Sequence, residues 1–179
     1  LFAEAGWQVG LFDRDFAAVT QLAREIGHDR AMAGSLDVSN TKQWHSALDG
    51  FVQWAGQLDV LLNNAGILYS GAFENTSLED HSRTIQVNVN GVLNGWHSGF
   101  EHLKANTHGA RIINLSSTSA IYGQTNLASY SASKFAVRGL TEALDNEWKS
   151  HNIRVMDIMP MFVQTAMVTN MDTGSIETM

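Results

Sequence analysis

Tyr130-Ser131-Ala132-Ser133-Lys134 sets a phenol and an ammonium four residues apart. On a helix the two share one face, about one turn from each other. A phenol with a pKa of ~10 is a poor base at neutral pH, and a neighbouring ammonium favours the phenolate. Lowering that pKa by about two pH units takes roughly 2.7 kcal/mol, which a cation within several ångströms can supply. The bland reading of the pair is a solvent-facing lysine beside a half-buried tyrosine. Three other segments stand with it: Asn63-Asn64-Ala65-Gly66, Asn88-Val89-Asn90-Gly91 and Ser116-Ser117. Each is unimpressive alone, because Asn, Gly and Ser are common in turns and caps. Their joint order and spacing are far more specific, with Tyr130 thirteen residues after Ser117.

The elements that must position these residues follow from hydrophobic periodicity. Short apolar runs predict strands over residues 7–12, 31–36, 58–62, 111–115 and 153–158. Between them, helical patterns cover residues 16–26, 41–54, 77 to about 99, and 128–150. Phe16, Val19, Leu22, Ala23 and Ile26 form one stripe of the first helix. Ser39 or Asn40 is a suitable N-cap for the second, and Ser77, with acids in the following turn, for the third. Strands alternating with helices of this length mean βαβ units and a parallel sheet. The NNAG and Ser116-Ser117 segments then fall just beyond the carboxyl ends of strands, where such sheets hold their ligands. No linker or repeat divides the chain, so a single domain over residues 1–179 is expected.

Composition narrows the function. The 179 residues are 44% hydrophobic and 16% charged, in the range of ordinary globular proteins. The net charge is −7 and no run of Lys or Arg occurs, which argues against nucleic acid and anionic membranes as partners. There is no cysteine, so disulfide, thiolate and zinc–sulfur chemistry is excluded and a cytoplasmic location is expected. No apolar run approaches the ~20 residues of a membrane span. His97 and His102 lie five apart with no accompanying carboxylate cluster, so no metal site is expected. Met156, Met159, Met161, Met167 and Met171 read equally as core packing and as lining of an apolar pocket.

Taken together, D-V-L-L-N-N-A-G, N-V-N-G, I-I-N-L-S-S and Y-S-A-S-K-F-A-V resemble the short-chain dehydrogenase/reductase family across essentially the whole chain. The resemblance implies a Rossmann-like doubly wound sheet in three αβα layers. It implies an oxidoreductase moving a hydride between a nicotinamide cofactor and a secondary alcohol or ketone. By it Tyr130 is the general acid/base, Ser117 holds the substrate oxygen, Lys134 binds the nicotinamide ribose, and Asn88 bends a helix and keeps a relay water. Asp37 and Val38 correspond to the pair that contacts adenine, Asn64 to the adenosine-ribose side, and Val163 and Thr165 to positions that hold the carboxamide. Met161 stands where the family usually has glycine.

Asp13, ending the first predicted strand, suits ribose hydroxyls and repels a 2′-phosphate, pointing to NAD. Arg14 beside it is the one feature favouring NADP, and an NADP-dependent carbonyl or 3-oxoacyl reductase is the runner-up. A catalytically silent binding protein is the rival from another class. A homodimer or homotetramer is expected through the two long helices.

The family's first strand and glycine-rich phosphate loop have no counterpart before Leu1, and residues 1–6 read like the tail of a helix. In the family's strand order 3-2-1-4-5-6-7, that omission predicts a gap of about 9.6 Å in the middle of the sheet. A C-terminal strand is likewise expected to be lacking. The sequence is therefore expected to be a portion of a longer protein, or, if whole, a poor binder of cofactor.

Overall fold

The computed structural model describes residues 1–161. Five strands and five α-helices alternate: β1 (Val9–Asp13), α1 (Phe16–Ile26), β2 (Ala31–Ser35), α2 (Thr41–Ala55), β3 (Val60–Asn63), α3 (Leu78–Ile85), α4 (Gly91–Lys104), β4 (Ala110–Leu115), α5 (Ala128–Glu147) and β5 (Ile153–Ile158). All pairings are parallel, as the alternation predicts, but they form two separate sheets, β1-β2 and β3-β4-β5. Between the facing edges of β1 and β3 lies a cleft of about 380 Å³, lined by Gly10, Phe12, Leu61 and Asn63 with Trp44 and Phe51 at its floor. The predicted central gap is therefore present.

Local chemistry sets the helix starts. The Asp15 carboxylate accepts from the Ala18 amide at 3.0 Å, Asn40 from Lys42 at 3.0 Å, and Ser77 from Asp80 at 3.1 Å, each satisfying a first-turn N–H. Residues 1–6 form one helical turn closed by Trp7 N–H to Phe2 O and Gly6 N–H to Ala3 O, with Gly6 at φ +91°. This is the Schellman ending, which needs the left-handed conformation that glycine adopts freely.

The core lies between β3-β4-β5 and the helices, with Leu48, Leu61, Trp96, Leu103, Ile112, Val137 and Ile153 all buried. Gly95 lets α4 sit against β3, since a Cβ there would come within 2.6 Å of Asn63 Oδ1 and 3.0 Å of the Trp44 ring. Beneath the site a buried amide network joins the layers. Asn63 Nδ2 and Trp96 Nε1 both donate to Asn114 Oδ1, and Asn114 Nδ2 donates to Thr141 Oγ1.

Several expectations need correction. The long helix over 77–99 is broken: α3 passes into a π-helical segment, Gln86–Asn90, before α4 continues to Lys104. The helix over 128–150 ends at Glu147 and tightens into the 3₁₀ turn Trp148–His151. Strand ends move by one or two residues, with Trp7 and Leu58 leading into strands and Asn63 belonging to one, while Asp13 ends β1 as expected. On α1, Ala23 is buried but Phe16 and Leu22 are exposed, because a two-stranded sheet is too narrow to cover the whole stripe.

Candidate active site

Ser116 and Ser117 follow β4 directly, and the 3₁₀ turn Thr118–Ala120 redirects the chain there. The Ser117 hydroxyl accepts from the Ser119 amide at 3.1 Å, which fixes it at the carboxyl edge of the sheet. Tyr130 stands in the first turn of α5 and Lys134 one turn further on, within the same helix face. Lys134 is only 7% exposed, its Nζ donates to Leu115 O at 2.7 Å, and it lies over the Tyr130 ring, 5.4 Å from the centroid. The solvent-facing lysine of the bland reading is thereby excluded.

Electrostatics at the pair differ from expectation. Burial raises the Tyr130 phenol above its ordinary value, and a hydrogen bond from the Ser117 side chain offsets part of that rise. Burial also pulls Lys134 down to about 8. The ammonium was expected to lower the phenol, but in the free chain burial is the largest influence and raises it. Nζ itself faces the ring and the Leu115 carbonyl.

Asn88 lies within the π segment and is 1% exposed. Its amide clamps the backbone of Ile67 from both sides, with Ile67 N–H to Oδ1 at 2.8 Å and Nδ2 to Ile67 O at 2.9 Å. Nδ2 also donates to Ser133 Oγ at 3.1 Å, and Ser133 donates to Tyr130 O at 2.6 Å. Ser133 thus ties the bent helix to the tyrosine's own turn. Its role escaped the sequence reading, although its place inside Y-S-A-S-K, three residues from Tyr130, is the signal that marks it. At Gly66 a Cβ would sit 3.4 Å from Asn88 Oδ1 and 3.9 Å from Lys134 Nζ, so the NNAG turn passes directly over both.

A second group gathers at the cleft. Asp13, Val38, Asn64 and Ala65 line its carboxyl end. Asp13 is exposed, and its Oδ1 accepts from the Asp15 amide at 2.9 Å. Asp37 Oδ1 takes both the Ser39 hydroxyl at 2.7 Å and the Ser39 amide at 2.9 Å, which holds its carboxyl below the ordinary carboxylate value. Val38 packs against Gly91. Residues 64–67 connect the two groups. Val163 and Thr165 lie outside the described residues. His102 pairs with Asp49 at 2.9 Å across α2 and α4, and among the described residues no helix is long and apolar enough to cross a membrane.

The comparisons with known proteins agree with this arrangement. The short chain dehydrogenase profile matches residues 1–175. The chain is 36% identical over 149 residues to trans-4-hydroxycyclohexanecarboxylate dehydrogenase of Sinomonas cyclohexanicum, covering 83% of this chain and 57% of that protein. It thus spans little more than half the length of that relative. Among solved structures it is similar to a 3-ketoacyl-(acyl-carrier-protein) reductase from Brucella melitensis complexed with NADH. There the TM-score is 0.90 and the identity 34%, over 94% of this chain and 70% of that one. It is also similar to a gluconate 5-dehydrogenase from Burkholderia cenocepacia J2315 in complex with NADP and tartrate, with TM-score 0.86 and 29% identity, over 93% and 66%. With a fold and a motif order shared along almost its whole length, the chain belongs to the short chain dehydrogenase family.

Proposed function

We propose that the protein is an oxidoreductase that transfers a hydride between NAD(H) and a secondary alcohol or ketone, with Tyr130 as general acid/base. The observation that carries this reading is the burial of the Lys134 ammonium over Tyr130 at the end of β4. Burying a cation is costly, and the hydrogen bond to Leu115 uses one of its three donors. The remaining two suit the vicinal hydroxyls of a nicotinamide ribose. The close pass of Gly66, where a side chain would crowd Asn88 and Lys134, fits the same cradle.

The nicotinamide, when bound, supplies or accepts the hydride. In reduction Tyr130 gives its phenolic proton to the substrate oxygen as carbonyl becomes alcohol, and in oxidation it takes that proton back. Ser117 holds the same oxygen by a hydrogen bond. Lys134 orients the cofactor and stabilises the phenolate left on Tyr130. Asn88, clamped to Ile67 and Ser133, keeps the NNAG turn and the first turn of α5 in register and lies where it would retain a relay water. Val163 and Thr165 are assigned to the carboxamide, and Asp37, Val38 and Asn64 to the adenosine half.

NAD(H) is favoured because the Asp13 carboxylate keeps Oδ2 for ribose hydroxyls and repels a 2′-phosphate. NADP(H) is the second reading, favoured by one observation: Arg14 and Arg83 are both close enough to act electrostatically on Asp37. The residues act as one dinucleotide-binding and catalytic domain. A cytoplasmic homodimer or homotetramer is in keeping with the cysteine-free composition and with exposed Ile85, Leu93 and Phe135 on the long helices.

Fluorescence titration with NADH and NADPH, paired with turnover of ketones by wild type and Tyr130→Phe, tests the reading. Tighter NADH binding and loss of turnover in Tyr130→Phe are expected. Binding of neither cofactor refutes the oxidoreductase assignment.

A further inference from the structure

Helices α1, α2 and α3 each start on a side-chain cap, but α5 starts after Leu127, whose apolar side chain can accept no hydrogen bond. A first turn without a cap keeps orphan N–H groups and frays readily. Tyr130 stands in that turn, whereas Lys134 is one turn further in. Fraying would therefore displace the phenol and leave the ammonium where it is.

Three serines around Tyr130 hold the turn by other means. Ser131 Oγ accepts from the Gln124 amide at 3.2 Å, and Ser133 Oγ donates to Tyr130 O at 2.6 Å. Ser129 reaches across to α3, with its Oγ 2.6 Å from His81 Nδ1. The imidazole is itself fixed from the other side. Its ring stacks on Phe73 with centroids 4.5 Å apart and planes 22° from parallel, and Nε2 lies 3.2 Å from Phe73 O. A carbonyl only accepts, so in the neutral ring Nε2 carries the proton and Nδ1 accepts from the Ser129 hydroxyl. One half-buried side chain thus joins the segment after β3, helix α3 and the residue preceding Tyr130.

On the oxidoreductase reading above, we infer that His81 is a positioning residue: through Ser129 it holds the first turn of α5 closed and keeps Tyr130 beside Ser117 for proton transfer. It acts through Ser129 and Phe73, not on the reacting atoms.

The test uses Ser129→Ala, His81→Phe, His81→Gln and the double variant carrying Ser129→Ala with His81→Phe. Phenylalanine keeps a ring against Phe73 but has no nitrogen, whereas glutamine can accept from Ser129 and donate to Phe73 O at once. Alanine has the higher helix propensity, so Ser129→Ala does not weaken α5 itself. In native-state hydrogen exchange, the amides of residues 131–133 should exchange about fivefold faster in Ser129→Ala and His81→Phe, the equivalent of one hydrogen bond. Residues 137–144 should be unchanged. For ketone reduction kcat should fall about two- to fivefold, while the Kd for NADH measured by fluorescence stays at its wild-type value, because Lys134 does not move. The double variant should be no worse than either single one, and His81→Gln should recover most of the loss.

Unchanged exchange, an unchanged kcat, an NADH Kd that rises as kcat falls, or single losses that multiply in the double variant would each overturn the inference and leave the oxidoreductase reading standing. A wild type that turns over no ketone and binds neither cofactor removes both.

Discussion

Lys134→Met should make the protein more stable at neutral pH and less stable at high pH, while abolishing turnover. Burial moves the Lys134 ammonium from its ordinary 10.5 down to about 8. At about 1.4 kcal/mol per pH unit, that is a cost to the folded state of about 3 kcal/mol. The unfolded chain holds this proton more tightly than the folded one. The full cost is therefore present below pH 8, shrinks as pH rises from 8 to 10.5, and is gone above that. Methionine fills nearly the same space without the charge. It also removes the 2.7 Å hydrogen bond to Leu115 O, worth about 1 kcal/mol. The variant should thus gain about 2 kcal/mol at pH 7 and lose about 1 kcal/mol above pH 10.5. Urea unfolding followed by tryptophan fluorescence, without cofactor and at three pH values between 7 and 10.5, measures the difference. A destabilised variant at pH 7, or a difference that does not move with pH, would refute the argument that the ammonium is held at a cost.

Two further outcomes follow from the same geometry. On the proposed mechanism reduction draws on the protonated phenol of Tyr130, which burial preserves to higher pH than usual, so ketone reduction should hold its rate through neutral pH while alcohol oxidation climbs steadily as pH rises; opposite profiles would reject Tyr130 as the titrating group. Gly95→Ala should cost about 1–2 kcal/mol, since a Cβ 2.6 Å from Asn63 Oδ1 forces α4 away from β3 by more than alanine's helix propensity returns. A Tm lowered by roughly 2–8 °C is expected, and an unchanged Tm would mean that the close approach carries no constraint.

Much of the architecture was legible in residue order. The bounds of α1 and β5 match the periodic pattern residue for residue, because apolar spacing, an Asp N-cap and a following glycine act locally. The pairing of Tyr130 with Lys134 on one face needed only the helical repeat. The two separated sheets match the expected central gap, since the βαβ order of the described residues places no strand between β1 and β3.

What the sequence could not supply depends on contacts between distant residues. The π segment in the middle of the 77–99 helix coincides with Asn88 reaching Ile67, 21 residues away, a partner invisible to any local window. Ser133 is one more small residue until the fold puts Asn88 against it. The sign of the Tyr130 perturbation was misjudged because spacing gives proximity to a cation but not the depth of burial, and desolvation is a property of everything packed around the group. Motif and periodicity determined which side chains meet; the tertiary structure decided how dry the meeting place is, and with it which electrostatic effect wins.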